Sequence, residues 1–404
     1  MASFMFATGV ENSSPTIGAG RRLDEFAKCG HYDRWRDDFD CVEELGLRYL
    51  RYGPNLFNTL IGPGRFDWSF ADETLGDLKR RGITLIADLC HFGAPDWIGD
   101  FQNPDFAPQF AVYARAFAER YRWIQLYTPI NEMYICAKFS ALTGFWNEQL
   151  KSDKGFVTAL KHLVRANILA MQQILEVRPD AIFNQSESSE HAHPVLPSAI
   201  ASAEFHNAHR FLSLDLNYGR QPAAQIYEYL LDNGLTRDEF RWFMQAETLR
   251  PRCIVGNDYY CTSEQWALPG GGVETAGEVL GYSNITHQYY TRYGIPVMHT
   301  ETNFPQGETG EEAVQWLRKE WSNVVQVRDA GVPIVGFTWY SITDQVDWDT
   351  CLREDRGVVN PLGLFDLDRR IRPVGRAFKE MVAAWRELLP VHSTVLTLPI
   401  APAA

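Results

Sequence analysis

Two segments of the chain end in a glutamate that could carry acid–base chemistry: Thr128-Pro129-Ile130-Asn131-Glu132 and Met298-His299-Thr300-Glu301-Thr302-Asn303. Each follows a short apolar run of strand character, so each glutamate falls where a parallel strand would stop. Two carboxyl groups facing one cleft are the minimal equipment for breaking a glycosidic bond, one giving a proton and the other attacking or stabilising the sugar. The blander account is a pair of structural, ion-paired glutamates. What separates the two is whether chain closure brings residues 132 and 301 face to face.

The elements that must position them are legible as short apolar runs alternating with longer amphipathic segments. Strands are predicted over 4–9, 48–52, 83–90, 124–130, 181–184, 253–257, 295–300 and 334–339. Helical patterns cover 32–45, 69–81, 108–121, 155–177, 311–330 and 374–388, and Gly46, Gly82 and Gly331 stand where three of them stop. Eight strands alternating with helices predict an α/β fold with a parallel sheet closed on itself. The expectation is one (β/α)8 TIM barrel over residues 1–389, with inserted loops and helices at its C-terminal face. Residues 198–250 are the largest insertion and are expected to form two helices. The run Leu268-Pro269-Gly270-Gly271-Gly272 reads as a loop, either a lid or a simple turn. The Pro-containing tail, 390–404, is expected on the surface or disordered.

In such a barrel the active site forms at the carboxyl ends of the strands. Those ends carry Glu11 and Asn12, Arg51, His91, Asn131 and Glu132, Asp258 and Tyr260, Glu301, and the stretch from Trp339 and Tyr340 to Asp347 and Trp348. A core histidine or a surface glutamate explains any one of these; the ring as a whole is harder to explain that way. Glu187 and Glu190 form a rival pair, but three residues apart they fit one loop without spanning a cleft, and they read as solvated or supporting. His191 and His193 have no partner cluster for a metal and read as surface loop.

These motifs, in this order, resemble glycoside hydrolase family 1, the β-glucosidase-like members of the clan of barrels with catalytic glutamates on strands four and seven. The family's Thr-x-Asn-Glu-Pro motif is matched within Thr128 to Met133, with Met133 in place of the final Pro, and its Thr-Glu-Asn-Gly motif by Thr300-Glu301-Thr302-Asn303. The third-strand pattern is similar to His91-Phe92-Gly93-Ala94-Pro95-Asp96-Trp97, the second-strand pattern to Leu50-Arg51-Tyr52-Gly53, and the sixth-strand pattern to Gly256-Asn257-Asp258-Tyr259-Tyr260. Tyr340-Ser341-Ile342-Thr343-Asp344-Gln345-Val346-Asp347-Trp348 resembles the eighth-strand motif, and Leu362 to Asp368 with Arg372-Pro373 the closing stretch.

The resemblance implies a retaining β-glycosidase. Glu301 would attack the anomeric carbon and Glu132 would act as acid and then base, with carboxyls roughly 5–5.5 Å apart. Arg51 and Tyr260 would contact Glu301 and keep it charged, and Asn131 would donate to the sugar 2-hydroxyl. Glu11, His91, Asp258, Asp347 and Trp348 would bind the terminal sugar over a platform of Trp339 or Tyr340. Glu11, Asp258 and Asp347 stand where the family carries Gln, Asn and Glu; ionised carboxylates only accept hydrogen bonds, whereas amides also donate. A terminal sugar with a basic group would suit such a site. Arg353 and Arg356 could instead read an anionic substituent, against the plainer account of exposed ion pairs. A transglycosylase would use the same intermediate, and a non-catalytic glycoside-binding barrel the same fold.

Composition narrows the rest. A formal net charge of −13 opposes a nucleic-acid partner, which needs clustered positive charge. The 12 Trp, 17 Tyr and 24 Phe serve either sugar stacking or core packing. Seven cysteines without a CxxC pair point to reduced thiols in a cytoplasmic protein. No apolar run approaches the ~20 residues that span a bilayer. The expected partner is a small glycoside or oligosaccharide, with no cofactor, metal or membrane, and a homo-oligomer is left open.

Overall fold

The computed structural model describes residues 4–386. Eight parallel strands form a closed barrel: β1 (Met5–Gly9), β2 (Tyr49–Tyr52), β3 (Thr84–Asp88), β4 (Leu126–Thr128), β5 (Ile182–Ser188), β6 (Cys253–Asp258), β7 (Val297–Glu301) and β8 (Ile334–Trp339). Each pairs with its sequence neighbour, and β1 closes on β8 through Met5↔Gly336 to Thr8↔Trp339. Helices lie between them, among them His31–Glu44, Ser69–Arg81, Phe106–Arg120, Asp153–Val177, Gly281–Tyr293, Glu311–Asp329 and Pro373–Trp385. All eight predicted strands are present, within a few residues of their expected ends. The predicted tail, 390–404, lies outside the described residues.

The barrel interior is filled by Met5, Ala7, Tyr49, Ile86, Leu126, Ile182, Ile254, Met298 and Val335, a cluster separate from the larger apolar layer between sheet and helices. Because side chains alternate along a strand, the same inward positions continue upward as polar groups. Tyr49 is followed by Arg51, Ile86 by Asp88, Ile182 by Asn184 and Ser186, and Ile254 by Gly256 and Asp258. Hydrophobic floor and polar mouth are one pattern of period two.

Glu301 breaks that phase, being odd where Met298 and Thr300 are even. The β6–β7 ladder shifts register between Asn257↔His299 and Asp258↔Glu301, a bulge that turns the glutamate inward. Two glycines permit close approaches at the mouth. A Cβ on Gly53 would lie 1.6 Å from the Asp88 carbonyl oxygen, and one on Gly9 would lie 2.2 Å from the Tyr340 ring.

One expectation is corrected and one pair of alternatives is decided. The 198–250 insertion holds four α-helices, Ile200–His209, Leu212–Asn217, Ala224–Asp232 and Arg237–Met244, because short polar breaks such as Gly219 and Gly234 divide its apolar pattern further. The 268–272 run is the turn between two antiparallel strands, Glu264–Ala267 and Val273–Thr275, in a small sheet with His191–Pro194.

Candidate active site

Arg51, at the top of β2, organises the mouth. Its guanidinium is 1% exposed and bridges five strands and strand ends: it pairs with Glu301, sits 2.9 Å from Asp88, and donates to the Asn131 side-chain oxygen and, at 3.0 Å, to Ser186 Oγ. Tyr260 Oη donates to the other Glu301 oxygen at 2.7 Å. Two donors thus converge on one carboxylate, which fixes its rotamer and leaves it facing the cavity.

Glu132 lies in a different setting. No hydrogen bond reaches its side chain among the described residues, and its backbone adopts φ +41°, ψ +62°, where its N–H donates to the Ser186 carbonyl. This left-handed turn starts the short helix Met133–Ala137 and aims the side chain across the mouth. Burial pushes the Glu132 carboxyl well above its ordinary range, and the negative charges of Asp258, Glu301 and Glu187 push the same way against Arg51.

Beneath these groups Asp258 accepts from Ser186 Oγ at 2.8 Å and from Thr300 Oγ1 at 2.5 Å. Burial and the Glu301 charge raise its carboxyl as well. Asp88 goes the other way: against its burial, Arg51 and His91 hold it below the usual range. A single guanidinium cannot balance four buried carboxyls, so Glu132 and Asp258, which it does not touch, are pushed toward their protonated forms.

His91 closes the ring of contacts. Its Nδ1 is 2.9 Å from Asp88 and its Nε2 is 3.0 Å from the Asn131 amide nitrogen, which fits Nδ1–H donating and Nε2 accepting. Its ring stacks on Tyr340 at 5.9 Å between centroids and 9° between planes.

Glu11, His91, Glu132, Tyr260, Glu301, Tyr340 and Trp348 line one cavity of about 660 Å³. Residues 132 and 301 thus line the same cavity. Arg51 and Asn131 stand directly behind them.

Three expected sugar ligands are placed elsewhere. Trp339 is fully buried, and its indole N–H donates to the Leu362 carbonyl at 3.0 Å, because a register shift between β7 and β8 turns it toward the helices. Tyr340 takes the inward position. Asp258 is enclosed by its two hydroxyl donors below the cavity floor. Asp347 is fully buried and accepts from Lys28 at 2.6 Å and from the N–H groups of Arg356, Gly357 and Val358 at 3.1, 3.0 and 2.8 Å. Its oxygens hold a loop and have no capacity left for a sugar.

Among the other readings, His193 moves from loop to strand, Glu187 takes the supporting one of its two alternatives, and Arg356 has the ion pairs expected of it. Glu187 is buried, not solvated. It accepts from the Tyr134 N–H at 3.0 Å and Ser213 Oγ at 2.6 Å, and burial pushes its carboxyl up to about 7. Glu190 lines the cavity with both oxygens 2.8 Å from Lys138. His193 is on a strand, 2.6 Å from Glu264. Arg356 is paired with Asp349 and Glu354, and Arg353 lies over Phe145; neither lines the cavity. Sequence reasoning missed Asp88, Ser186 and Gln345. Asp88 was findable as the inward position two beyond Ile86. Ser186 was hidden because β5 runs on through polar residues that end an apolar pattern.

The chain and its fold have counterparts among known proteins. The model of the family described as Glycosyl hydrolase family 1 matches residues 15–229, just over half of the chain. The β-glucosidase A of Thermotoga maritima is 27% identical over 369 residues, covering 82% of this chain and 81% of its own length. A β-glucosidase of Agrobacterium sp. is 21% identical over 398 residues, 89% and 85% of the two chains. An aryl-phospho-β-D-glucosidase of Bacillus subtilis is 21% identical over 380 residues, 79% and 78%. Among solved structures, the Thermotoga maritima β-glucosidase in complex with deoxynojirimycin superposes with a TM-score of 0.79 at 17% identity, over 94% of this chain and 97% of that one. With the barrel, the two facing glutamates and the match to the family model in agreement, the chain belongs to glycosyl hydrolase family 1.

Proposed function

We propose that the protein is a retaining β-glycosidase, β-glucosidase-like, that removes a terminal β-linked sugar from a small glycoside or oligosaccharide. The observation that carries this reading is the pair Glu132 and Glu301 in unlike surroundings on one cavity. Glu301, oriented by Arg51 and Tyr260, attacks the anomeric carbon. As the C–O bond breaks, Glu132 passes its proton to the departing oxygen. Water then enters, gives a proton to the Glu132 carboxylate, and displaces Glu301, so the configuration is retained. Asn131, held between Arg51 and His91, presents its amide where the 2-hydroxyl of the sugar would lie. Tyr340 and Trp348 supply apolar surface for the ring. Seven free thiols support a reducing, cytoplasmic setting. No described helix is long and apolar enough to cross a membrane.

Proton NMR of a hydrolysis followed from the first turnover tests this reading, with the β-anomer expected as initial product. An α-anomer would end it. Glu132→Gln should lower turnover of a glycoside with a poor leaving group about 10²–10⁴-fold and affect an activated aryl glycoside much less, because an acidic phenol departs without help. The sign of the pH effect follows from the raised Glu132 carboxyl. The acid form persists above the ordinary glutamate range and is lost as pH rises through the raised value, so the alkaline limb should be absent from the Glu132→Gln profile.

No Lys or Arg lines the cavity among the described residues, whereas Glu11, Glu132, Glu190, Glu301 and Asp349 do. Glu190, Asp349 and Glu301 are paired with Lys138, Arg356 and Arg51, so among the described residues a phosphorylated sugar would meet carboxylates and no uncommitted cation at the cavity wall. Aryl 6-phospho-β-glucoside is therefore expected to be a far poorer substrate than its unphosphorylated parent, and equal kcat/KM values for the two would contradict this charge argument.

A further inference from the structure

The cavity that Glu132 lines also holds, among the described residues, a carboxylate without a cation. Glu11 is 1% exposed, lines the cavity, and accepts from the Ser13 N–H at 2.9 Å and from Gln345 Nε2 at 3.3 Å. A carboxylate has about four acceptor sites, so roughly half remain for whatever occupies the cavity. The cations of the surrounding elements are engaged elsewhere. Lys28 lies 2.6 Å from Asp347 and 3.0 Å from Asp355, Arg51 is taken by Glu301 and Asp88, and Arg22 by the Ser14 and Ala94 carbonyls and Asp96. Glu11 makes no ion pair among the described residues. Burial holds its carboxyl above the ordinary range, with His91 and Ser13 opposing and Glu301 adding to the effect.

The order of residues around the mouth locates Glu11 on the substrate. Glu301 faces the anomeric carbon, Asn131 stands beside it through Arg51, and His91 touches Asn131 at 3.0 Å. His91 stacks on Tyr340, whose hydroxyl is 3.3 Å from the Val10 carbonyl next to Glu11. If Asn131 meets the 2-hydroxyl, as proposed above, then His91 beside it meets the next ring position, and Glu11, whose carboxyl feels His91 more strongly than Glu301, meets the one beyond. Resting on the β-glycosidase reading above, we propose that the terminal sugar carries an ammonium group at carbon 3 or 4, received by the Glu11 carboxylate. Such a group donates to the acceptor sites that Ser13 and Gln345 leave open and supplies the cation that Glu11 lacks.

Calorimetric binding of methyl β-thioglycosides, which resist hydrolysis, tests the proposal on the intact protein. The probes are the thioglucoside and its 2-amino, 3-amino and 4-amino counterparts, measured against wild type and Glu11→Gln. The 3-amino or 4-amino compound is expected to bind wild type about tenfold or more tightly than the hydroxyl parent, with the advantage gone in Glu11→Gln. Binding of the parent equal to or tighter than all amines, a best fit for the 2-amino isomer, or an advantage that survives in Glu11→Gln would overturn it. The wild-type series decides the matter even if the variant does not fold. Aryl β-glucoside hydrolysis, assayed in parallel, separates the two readings: turnover without any amine advantage defeats only this proposal, and no turnover of any β-glycoside defeats the enzymatic one.

Discussion

Glu301→Ala should fold normally and lose hydrolysis by on the order of 10⁴-fold or more, on activated and unactivated β-glycosides alike. On the proposed mechanism the substitution removes the atom that would bond to carbon 1, so a better leaving group gives no relief, in contrast to Glu132→Gln. It also opens space beside Tyr260 and Arg51, both of which pointed donors at the lost carboxylate. A small anion such as azide or formate should enter that space, with Arg51 as its counter-charge, and attack from the face Glu301 used. Rate measurements with added azide should then show recovery with an α-glycosyl azide as product. Near-native turnover of the alanine variant, or a β-configured azide adduct, would exclude Glu301 as nucleophile.

Arg51→Met should cost both activity and stability. The guanidinium is fully enclosed and satisfies Glu301, Asp88, Asn131 and Ser186 together, so its removal strands two buried carboxylates. Breaking such a pair from one side typically costs about 3–5 kcal/mol. A denaturant melt at neutral pH should register a loss of that order. Adding Glu301→Gln to Arg51→Met should recover part of it, because one of the stranded charges disappears. The pH dependence has a definite sign. Arg51 helps hold the Asp88 carboxyl below its ordinary range, a stabilisation present at neutral pH and lost as pH falls through that lowered value, so the Arg51→Met deficit should be present at neutral pH and shrink in acid. A variant with native stability at pH 7 would show that the carboxyls find other partners.

The sequence carried the barrel because parallel strands buried on both faces read as apolar runs between helical patterns. The mouth was legible wherever a polar residue directly followed such a run: Arg51 after Leu50, Asn131 and Glu132 after Ile130, Tyr260 beyond Asp258. What escaped depended on phase. The register shift between β7 and β8 turned Trp339 outward, and a count of alternating residues does not see a bulge. Asp347 escaped for another reason: its role is set by the backbone amides of residues 356–358, which fold onto it from a loop whose path no local pattern encodes.

The positive φ at Glu132 bears on whether this barrel still turns over its ligand or merely holds it. A long side chain in that conformation raises the energy of the native state by on the order of 1–3 kcal/mol, which glycine or asparagine would relieve without disturbing the chain path. A lectin-like descendant, freed from the need to move a proton, would gain robustness from that exchange at its first opportunity. A glutamate still held there marks a fold in which the demand for a reaction outweighs the demand for rigidity.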